Sequence, residues 1–439
     1  MELSALARNG DIAGLRTSLL SLGTPPEIVV ELERQDATTR AIAFRALPKD
    51  LALSVFEAFA PPLQGELIAE LRDEGGALLL AMDPDDRASL LGELPAKVAR
   101  RMLQGLDPAE REKTTALLGF PPGSIGRRMT PHVVTLPEKS TVGEALEQVR
   151  AQEPEAETIY ASAVIDPTRR LLGMVSLRRL LTTPPETPLA DVTRDPISVF
   201  AVDTQESAAR LVRDHGAIAV PVVDSEERVL GVLTVDDAMQ ILEDEETEDL
   251  ARTGGTEPLG RPYLSTSILD IVRSRIVWLL ILIFAAMLTV NVLNHFEDTL
   301  AAVVSLALFV PFLIGTGGNA GAQAATTVVR AMAVGSVRFR DLGKVIRKEV
   351  LTGLLLGVSL GAVAFIVASL FVDPKVALVV CLSLVVVCAL ATTIGSLTPM
   401  LARRAGVDPA VVSAPFITTF VDATGLVVYF LIARAVLGL

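Results

Sequence analysis

The spacing of hydrophobic positions changes twice along this chain, and each change predicts a different kind of structure. From residue 5 to residue 118, short amphipathic runs alternate with breaks about every 11 to 13 residues, most of them at prolines: Pro48, Pro61, Pro84, Pro95 and Pro108. This interval fits a three-turn helix with its turn. Such short helices bury their apolar faces only by stacking on one another, so we predict an all-α superhelix over residues 1–125.

Between residues 126 and 234 the pattern changes to alternating strands and helices, and it occurs twice. The first copy, VID at 164–166 with LGMVS at 172–176, returns 58 residues later as VVD at 222–224 with LGVLT at 230–234. A repeated order of strand, turn, strand and helix predicts a tandem pair of small α+β domains.

An acidic segment joins this repeat to the apolar half of the chain. Residues 243–249 carry six carboxylates in seven positions and continue a helix that begins near Val235. Like charges three and four positions apart on a helix repel one another. Such a run is usually a solvated helix face, but its position before the first apolar span also favours cation binding. With the glycine-containing linker that follows, we define residues 235–264 as a connecting region.

Residues 265–439 contain five apolar stretches, each near or above the ~20 residues needed to cross a bilayer. They are residues 276–293, 300–327, 350–371, 376–401 and 411–437. Ten Lys or Arg residues flank one set of span ends and two flank the other, which predicts a cytoplasmic amino terminus and an extracytoplasmic carboxyl terminus. The first 20 residues carry charges throughout and lack the apolar core of a signal peptide. Tyr429 is expected near a membrane interface.

Charge separates the two halves and excludes some functions. Residues 1–264 have a net charge of −17 and residues 265–439 a net charge of +4, giving −13 for the chain. Acidic surfaces repel nucleic acid and attract cations, so nucleic acid is not an expected partner. The sequence has no nucleophile–base set, phosphate-binding loop or HExxH motif, which argues against an enzyme. A nucleotide sensor merely anchored in the membrane would not need polar residues in its spans.

The second span carries small and polar residues that a lipid-facing helix would not need. Exposed amide or backbone groups at bilayer depth are tolerated only beside protein or water, and small residues let helices pack closely. The segment 311–330 is therefore either a pore-lining helix or a packing seam. In the first interpretation the pore-lining residues are Gly315, Gly317, Gly318, Asn319 and Gln323.

One carboxylate in the last span favours the pore interpretation. Asp422 is the only acid of residues 415–437, and no Lys or Arg lies at comparable depth to neutralise it. Intramembrane acids are costly and usually line an ion path. Mg²⁺ retains much of its water and binds one or two carboxylates, so two copies of Asp422 on a two-fold axis would suit one hydrated ion. Thr418, Thr419 and Asn319 could hydrogen-bond its hydration shell.

With these residues in view, the whole chain resembles the MgtE family of magnesium channels. The motifs that carry the resemblance are PFLIGTGGNAGAQ at 311–323, VDATG at 421–425, VDDAM at 235–239 and TED at 247–249. The repeat at 126–234 resembles a pair of CBS domains, which commonly bind adenine nucleotides such as ATP. A hydroxyl three residues before an acid, Thr234 and Asp237, matches the ribose-holding pattern. The first copy has Arg179 after Ser176, so the resemblance implies one nucleotide site rather than two.

The resemblance also implies a homodimer that passes Mg²⁺ inward at Asp422 and is closed by Mg²⁺ bound among its cytosolic domains. The helix at about 235–250 resembles the family's plug helix. Compared with the family, Ala414 replaces a polar residue that helps line the pore. Ser54, Ser89 and Gly216 stand at positions where family members can have acids, and the loss of these acids predicts weaker Mg²⁺ sensing. The positions that match sensor carboxylates are Asp85, Glu206, Asp237, Glu245, Glu248 and Asp249.

The sequence leaves other kinds of transport open. A transporter of Mn²⁺, Co²⁺ or Ca²⁺ regulated through CBS domains is the nearest alternative. A proton- or sodium-coupled carrier would ordinarily need titratable groups along its path, and Asp422 is the only evident one. We predict a multidomain protein of the cytoplasmic membrane: an all-α superhelix at 1–125, an α+β CBS pair at 126–234, an acidic connecting region at 235–264 and a five-helix membrane domain at 265–439.

Overall fold

The computed structural model describes residues 2–71, 73–409 and 414–439. The chain forms two compact units, Met1–Glu245 with Gly260–Thr266 and Glu246–Leu259 with Ser267–Leu439. The predicted fold class is confirmed. The first unit contains short stacked helices followed by two small sheets, and the described part of the second contains five apolar helices of membrane-spanning length.

Short helices fill the amino-terminal region, as the spacing of breaks predicts. Several begin with proline in the first turn, where its missing N–H is not needed for an intrahelical bond. Their apolar faces share one core, in which the Phe44 and Phe56 rings meet edge to face. The helices are α1 (Glu2–Arg8), α2 (Ile12–Leu20), α3 (Pro25–Glu33), α4 (Ala37–Arg45), α5 (Lys49–Glu57), α6 (Pro61–Leu71), α7 (Asp73–Ala81), α8 (Pro84–Glu93), α9 (Ala96–Gly105) and α10 (Pro108–Leu118).

The strand–helix repeat forms two sheets of the same topology. In each, the first strand runs parallel to the second and the second antiparallel to the third. Val164 pairs with Gly173 in one sheet and Val222 with Gly231 in the other, so the two registers are equivalent. The elements are β1 (Val133–Pro137), α11 (Val142–Gln152), β2 (Thr158–Ile165), β3 (Leu171–Ser176), α12 (Leu177–Thr182), α13 (Leu189–Val192), β4 (Val199–Phe200), α14 (Gln205–His215), β5 (Ala219–Val223) and β6 (Val229–Thr234).

The two copies exchange the segments that precede their strands. The backbone N–H of Thr130, upstream of the first copy, donates to the Val232 carbonyl of β6 at 3.0 Å. The N–H of Met174 in β3 donates to the carbonyl of Arg194, upstream of the second copy, also at 3.0 Å. Each copy therefore depends on the other to complete its sheet edge, which a sequence repeat by itself does not reveal.

The acidic connecting helix, α15 (Val235–Thr253), follows β6 directly and runs a few residues past its predicted end. Two of its apolar residues, Ala238 and Ile241, pack into the same core as Val212 of α14 and Leu233 of β6. The beginning of this helix is therefore fixed to the second copy of the repeat, while four of its eight carboxylates are exposed and the other four half-buried.

The second unit contains the apolar helices α16 (Ile268–His295), α18 (Val310–Ala333), α19 (Leu342–Ala368), α20 (Pro374–Arg404) and α21 (Ala414–Leu437), with a short α17 (Glu297–Ala302) between the first two. Each of the five stretches predicted to cross the membrane overlaps one of the long helices. The second was predicted to start at Leu300, but residues 300–309 form the end of α17 and a 3₁₀ segment (Val304–Phe309) before α18 begins. The predicted start of the fifth, Val411, lies outside the described residues. Helix α20 packs against α18, α19 and α21, and α16 packs against α21.

Helices α19 and α20 approach closely along a seam of glycines. Gly353, Gly357 and Gly361 recur every four residues on α19 and face the backbone of α20. A Cβ at Gly357 would lie 2.5 Å from the Cα of Val385 and 2.8 Å from the Leu384 carbonyl oxygen. Small residues at this spacing allow two membrane helices to pack backbone against backbone.

Tyr429 packs inside the helix bundle. Its side chain is fully buried, and its hydroxyl donates to the Leu306 carbonyl at 3.0 Å. The hydroxyl thus satisfies a backbone acceptor in the segment before α18, while its depth in a membrane stays a prediction. In an apolar environment the alternative would be an unsatisfied carbonyl.

Candidate ion-binding sites

The Asp422 side chain lies on α21 where this helix faces α18. A Cβ at Gly318 would lie 3.4 Å from Asp422 Oδ1 and 3.2 Å from the Thr418 side chain, so the missing side chain at Gly318 leaves room for both. Asp422 is half-buried, and its carboxylate makes no hydrogen bond or ion pair with any described residue. The one cation of this helix, Arg434, contacts the Thr299 hydroxyl at 2.9 Å and the Phe296 ring.

Thr418 and Thr419 lie one turn before Asp422, and their hydroxyl protons are already used. Each hydroxyl donates to the Pro415 carbonyl, at 2.8 Å from Thr418 and 2.9 Å from Thr419. The oxygen lone pairs remain available as acceptors. Water molecules around a cation point their hydrogens outward, so acceptors are the groups that a hydrated ion requires.

One face of α18 serves helix packing. Gly317 and Gly321 are buried, and a Cβ at Gly317 would lie 2.7 Å from the Val387 side chain and 3.3 Å from that of Val421. Gly318 is buried beside them. The glycines at 317, 318 and 321 therefore hold α18 close to α20 and α21, which is the packing interpretation of this segment.

The opposite face of α18 is open in the single chain. Gly315, Asn319 and Gln323 follow one another at intervals of four residues and all are exposed. No atom lies within 4 Å of the position that a Cβ at Gly315 would occupy. The predicted pore-lining set thus divides between a packed face and an exposed polar face, and the two alternatives left open by the sequence apply to different sides of one helix.

A second concentration of carboxylates lies in the first unit, around the start of α8. Asp85 is 8% exposed, and its Oδ1 has no hydrogen-bond partner among the described residues. Burial, followed by the charges of Asp237 and Asp86, raises the pKa of Asp85 to about 8. Helix α8 is held rigidly here, because the buried Arg87 guanidinium donates to the carbonyls of Leu79 and Met82 and pairs with Glu110 of α10.

Carboxylates from four separate segments lie around the start of α8. Burial and the charges of Asp86 and Asp83 raise the pKa of Glu57 to about 7. Partial removal from water and neighbouring carboxylates raise the pKa of Asp86 to about 6 and that of Glu157 to about 7, although both side chains keep an exposed edge. Burial also raises the pKa of Asp237. We call Glu57, Asp83, Asp85, Asp86, Glu157, Asp236 and Asp237 the acidic cluster.

One cation partly offsets the acidic cluster. Arg128 lowers the pKa of Asp86 and of Asp237, donates to the Ser89 hydroxyl at 2.9 Å and lies 3.6 Å from the Asp244 carboxylate. Within the described part of the chain, one guanidinium against seven carboxylates leaves this region negative, so it can attract cations.

The sequence prediction named only Asp85 and Asp237 of this cluster. Asp83 occupies the N-cap position of α8, yet its side chain makes no capping hydrogen bond. The equivalent Asp107 does cap α10, accepting from the N–H groups of Ala109 and Glu110 at 3.0 and 3.1 Å. The excess of acids at 83–86 was therefore a usable signal, whereas nothing in the local sequence marked Glu57 or Glu157.

Within the described residues, no group of three or more His, Cys, Asp or Glu side chains is arranged to hold a metal ion directly. The members of the acidic cluster are near enough to change one another's pKa but do not form a closed set of ligands. An ion held there in this arrangement would keep most of its water, as Mg²⁺ commonly does.

Comparison with known proteins identifies the family. A family profile described as "Divalent cation transporter" matches residues 310–432, one described as "MgtE intracellular N domain" matches 24–123, and the CBS domain matches 123–186 and 189–244. The magnesium transporter MgtE of Thermus thermophilus is 36% identical over 445 residues, spanning 100% of this chain and 98% of that protein. The chain belongs to the MgtE family.

Other relatives agree with this assignment. The MgtE magnesium transporters of Enterococcus faecalis and Bacillus subtilis are 35% and 31% identical over 320 and 358 residues, covering 72% and 81% of this chain and 70% and 78% of theirs. A crystal structure of the cytosolic domain of the Mg²⁺ channel MgtE in complex with ATP is 31% identical with a TM-score of 0.51, covering 55% of this chain and 98% of that one. MgtE is a family of magnesium transporters and not a class of enzymes.

The remaining predicted sensor carboxylates of this MgtE chain have protein partners. Glu206 pairs with Arg210 on α14, and Glu245 accepts from Gln205 Nε2 at 3.0 Å. Glu248 pairs with Arg252, which also reaches Asp408 Oδ2 at 2.7 Å. Asp249 follows Glu248 on the same helix and is half-buried. These acids are compensated by protein groups, in contrast to Asp85.

Two positions where the family can have acids have structural roles here. Gly216 ends α14 with φ +58°, a left-handed conformation that would strain an acid with a Cβ. Ser89 accepts the hydrogen bond of Arg128. Thr234 and Asp237, the predicted ribose-holding pair, are hydrogen-bonded to each other, Thr234 Oγ1 donating to Asp237 Oδ2 at 2.7 Å.

Proposed function

We propose that this chain is a homodimeric channel that carries Mg²⁺ into the cell across the cytoplasmic membrane and closes when Mg²⁺ binds its cytosolic domains. The observation that carries the proposal is the half-buried Asp422 carboxylate, which has no partner among the described residues and faces the glycine-rich side of α18. An intramembrane acid without a counter-charge is expected to face an ion path. The three relatives named as magnesium transporters support Mg²⁺ as the ion.

A second copy of the chain would complete the path. One carboxylate is a weak site for a divalent cation, whereas two copies of Asp422 on a two-fold axis give two negative charges to one hydrated ion. The exposed face of α18, with Gly315, Asn319 and Gln323, supplies polar groups that need water or a partner chain. Family membership and the distribution of basic residues support a cytoplasmic amino terminus and an extracytoplasmic carboxyl terminus.

The acidic cluster provides a physical basis for closure by Mg²⁺. It joins α8 to the first turn of α15, because Asp85 and Asp237 are close enough for the charge of one to raise the pKa of the other. Without a cation the carboxylates repel one another and favour separation of the two elements. Bound Mg²⁺ would favour the compact arrangement, and coupling requires only that the closed state bind Mg²⁺ more tightly.

We also propose one adenine-nucleotide site in the CBS pair, at Thr234 and Asp237. The cytosolic domain of a related MgtE has been crystallised with ATP, which supports nucleotide binding by this fold. Thr234 and Asp237 already lie within hydrogen-bond distance of each other. Calorimetric titration of the full chain with ATP, repeated on Thr234→Val, checks the assignment, and equal affinity in both proteins would disprove it.

The function is tested by Mg²⁺ flux into liposomes at varied Mg²⁺ on the cytosolic face. We expect Asp422→Ala to reduce flux to the level of empty liposomes while the dimer, measured by light scattering, persists. The matched control is Asp373→Asn at the start of α20, where Asn can retain the capping bond to the Lys375 N–H. Normal flux through Asp422→Ala would refute the proposal, and preferential uptake of Mn²⁺, Co²⁺ or Ca²⁺ in competition would favour another ion.

A further inference from the structure

A basic cavity lies where three of the apolar helices end. It has a volume of about 550 Å³ and is formed by the turn after α18, the residues before α19 and the last turn of α20. Its lining residues are Gly335, Val337, Arg338, Phe339, Arg403 and Arg404. None of these residues belongs to the Asp422 site or to the acidic cluster.

The arginines of the cavity have no carboxylate partner within the described residues. The nearest acid along the chain, Asp341, is already engaged, since its Oδ2 accepts from the backbone N–H of Arg338 at 3.2 Å and its Oδ1 lies 3.7 Å from Lys344 Nζ. The cavity therefore carries three arginines that form no ion pair with a carboxylate of the described ranges.

Two contacts orient Arg403 and Arg404. Arg404 stacks its guanidinium over the Phe339 ring at 4.6 Å from the ring centre, and Arg403 Nη1 donates to the Met332 carbonyl at 3.1 Å. Stacking on an aromatic face leaves the N–H groups at the guanidinium edge available. Guanidinium groups held in this way suit bidentate recognition of a phosphate.

The position of the cavity indicates where such a phosphate would come from. Three membrane-length helices have an end here: α18 ends at Ala333, α19 begins at Leu342 and α20 ends at Arg404. Apolar side chains next to the cavity are exposed, Val334 by 54% and Leu401 by 47%. A ligand with an anionic head and apolar chains would contact both the arginines and this apolar surface. Basic pockets between membrane helices commonly bind anionic lipid headgroups.

We propose that this cavity binds the phosphate of an anionic phospholipid from the adjacent leaflet. Arg338 and Arg404 bind the phosphate oxygens, and the acyl chains lie along the exposed apolar residues of α20. The lipid is a ligand separate from the transported ion, and its binding does not depend on ion transport.

The experiment uses the full-length protein in a neutral detergent and dioctanoyl phosphatidylglycerol as the probe, with dioctanoyl phosphatidylcholine for comparison. We expect the double variant Arg338→Gln/Arg404→Gln to weaken phosphatidylglycerol binding about 30-fold, since each basic residue near a membrane surface contributes about fivefold. The control, Arg340→Gln, removes a charge from the same loop but does not line the cavity. It should change the affinity less than twofold.

A second arm distinguishes the lipid from a free anion. Inorganic phosphate at millimolar concentration should fail to displace phosphatidylglycerol if the acyl chains contribute, and phosphatidylcholine should bind much more weakly. The double variant Arg338→Lys/Arg404→Lys, which keeps the charge but not the planar groups, should retain part of the affinity. Wild-type affinity in the Gln double variant, equal losses in Arg340→Gln, or equal competition by inorganic phosphate would each overturn the proposal.

Discussion

Replacing Asp85 by Asn should stabilise the first unit, and the gain should depend on pH. Burial raises the pKa of Asp85 to about 8 from an ordinary value of 3.8. Because the folded state holds this proton more tightly than the unfolded state, stability falls as the pH rises between these two values. Each pKa unit corresponds to about 1.4 kcal/mol of free energy. Ionisation of Asp85 therefore lowers the free energy of unfolding by about 5 kcal/mol at pH 8 and by about 2 kcal/mol at pH 5.

The decisive quantity is the difference between the stabilisation by Asp85→Asn at pH 8 and its stabilisation at pH 5. A buried Asn amide has its own desolvation cost, but this cost is the same at both pH values. Asp85→Asn should therefore raise the free energy of opening of α8 by about 3 kcal/mol more at pH 8 than at pH 5.

Hydrogen exchange of the full-length protein in detergent, followed in peptides that cover α8, measures this free energy. Asp107→Asn is the matched control: Asp107 caps the neighbouring α10 at the surface, and Asn caps a helix equally well. It should change stability by less than about 0.5 kcal/mol at either pH. A gain in Asp85→Asn that is equal at pH 5 and pH 8 would refute the reasoning from burial and charge.

The same samples test the proposed sensing role separately. At a Mg²⁺ concentration 100 times the Kd, the wild type should gain about 2.7 kcal/mol at pH 8. Asp85→Asn should lose most of that gain. If the pH dependence is observed without any gain from Mg²⁺, the electrostatic description of the cluster stands and the proposal of a sensor fails.

Two further predictions concern the packing of the membrane helices, and both are measured by unfolding in mixed micelles. Gly357→Ala should separate α19 from α20 and destabilise the protein by about 1 to 3 kcal/mol, because the added Cβ would lie 2.5 Å from the Cα of Val385. Gly343→Ala is the control on the same helix: no atom lies within 4 Å of its added Cβ, so it should not destabilise the protein. Tyr429→Phe should cost about 1 kcal/mol by leaving the Leu306 carbonyl without its donor, and an unchanged stability would show that the bond contributes nothing.

Much of the fold follows from patterns that are local in the sequence. Apolar stretches of about 20 residues, a repeat of 58 residues and breaks at regular prolines depend on neighbouring residues and on the solvent. They predicted the fold class and the five membrane-length helices that the described residues contain. Asp422 was also visible, since a lone acid in an apolar run is a local feature; its role in an ion path stays a prediction.

What the sequence could not give are distances between residues far apart in the chain. The acidic cluster brings together Glu57, Asp85, Glu157 and Asp237, and no local pattern connects them. The exchange of upstream segments between the two copies of the repeat is likewise a matter of tertiary contacts.

The division of α18 into a packed face and an exposed face shows the same limit within one helix. Composition identified the glycines, Asn319 and Gln323 as unusual, but only the positions of α20 and α21 determine that Gly317 is packed and Gly315 is open. Secondary structure and membrane insertion depend on the residue types along a short segment. The environment of a side chain, its pKa and its access to an ion depend on which segments fold against it, and that is decided by the tertiary structure.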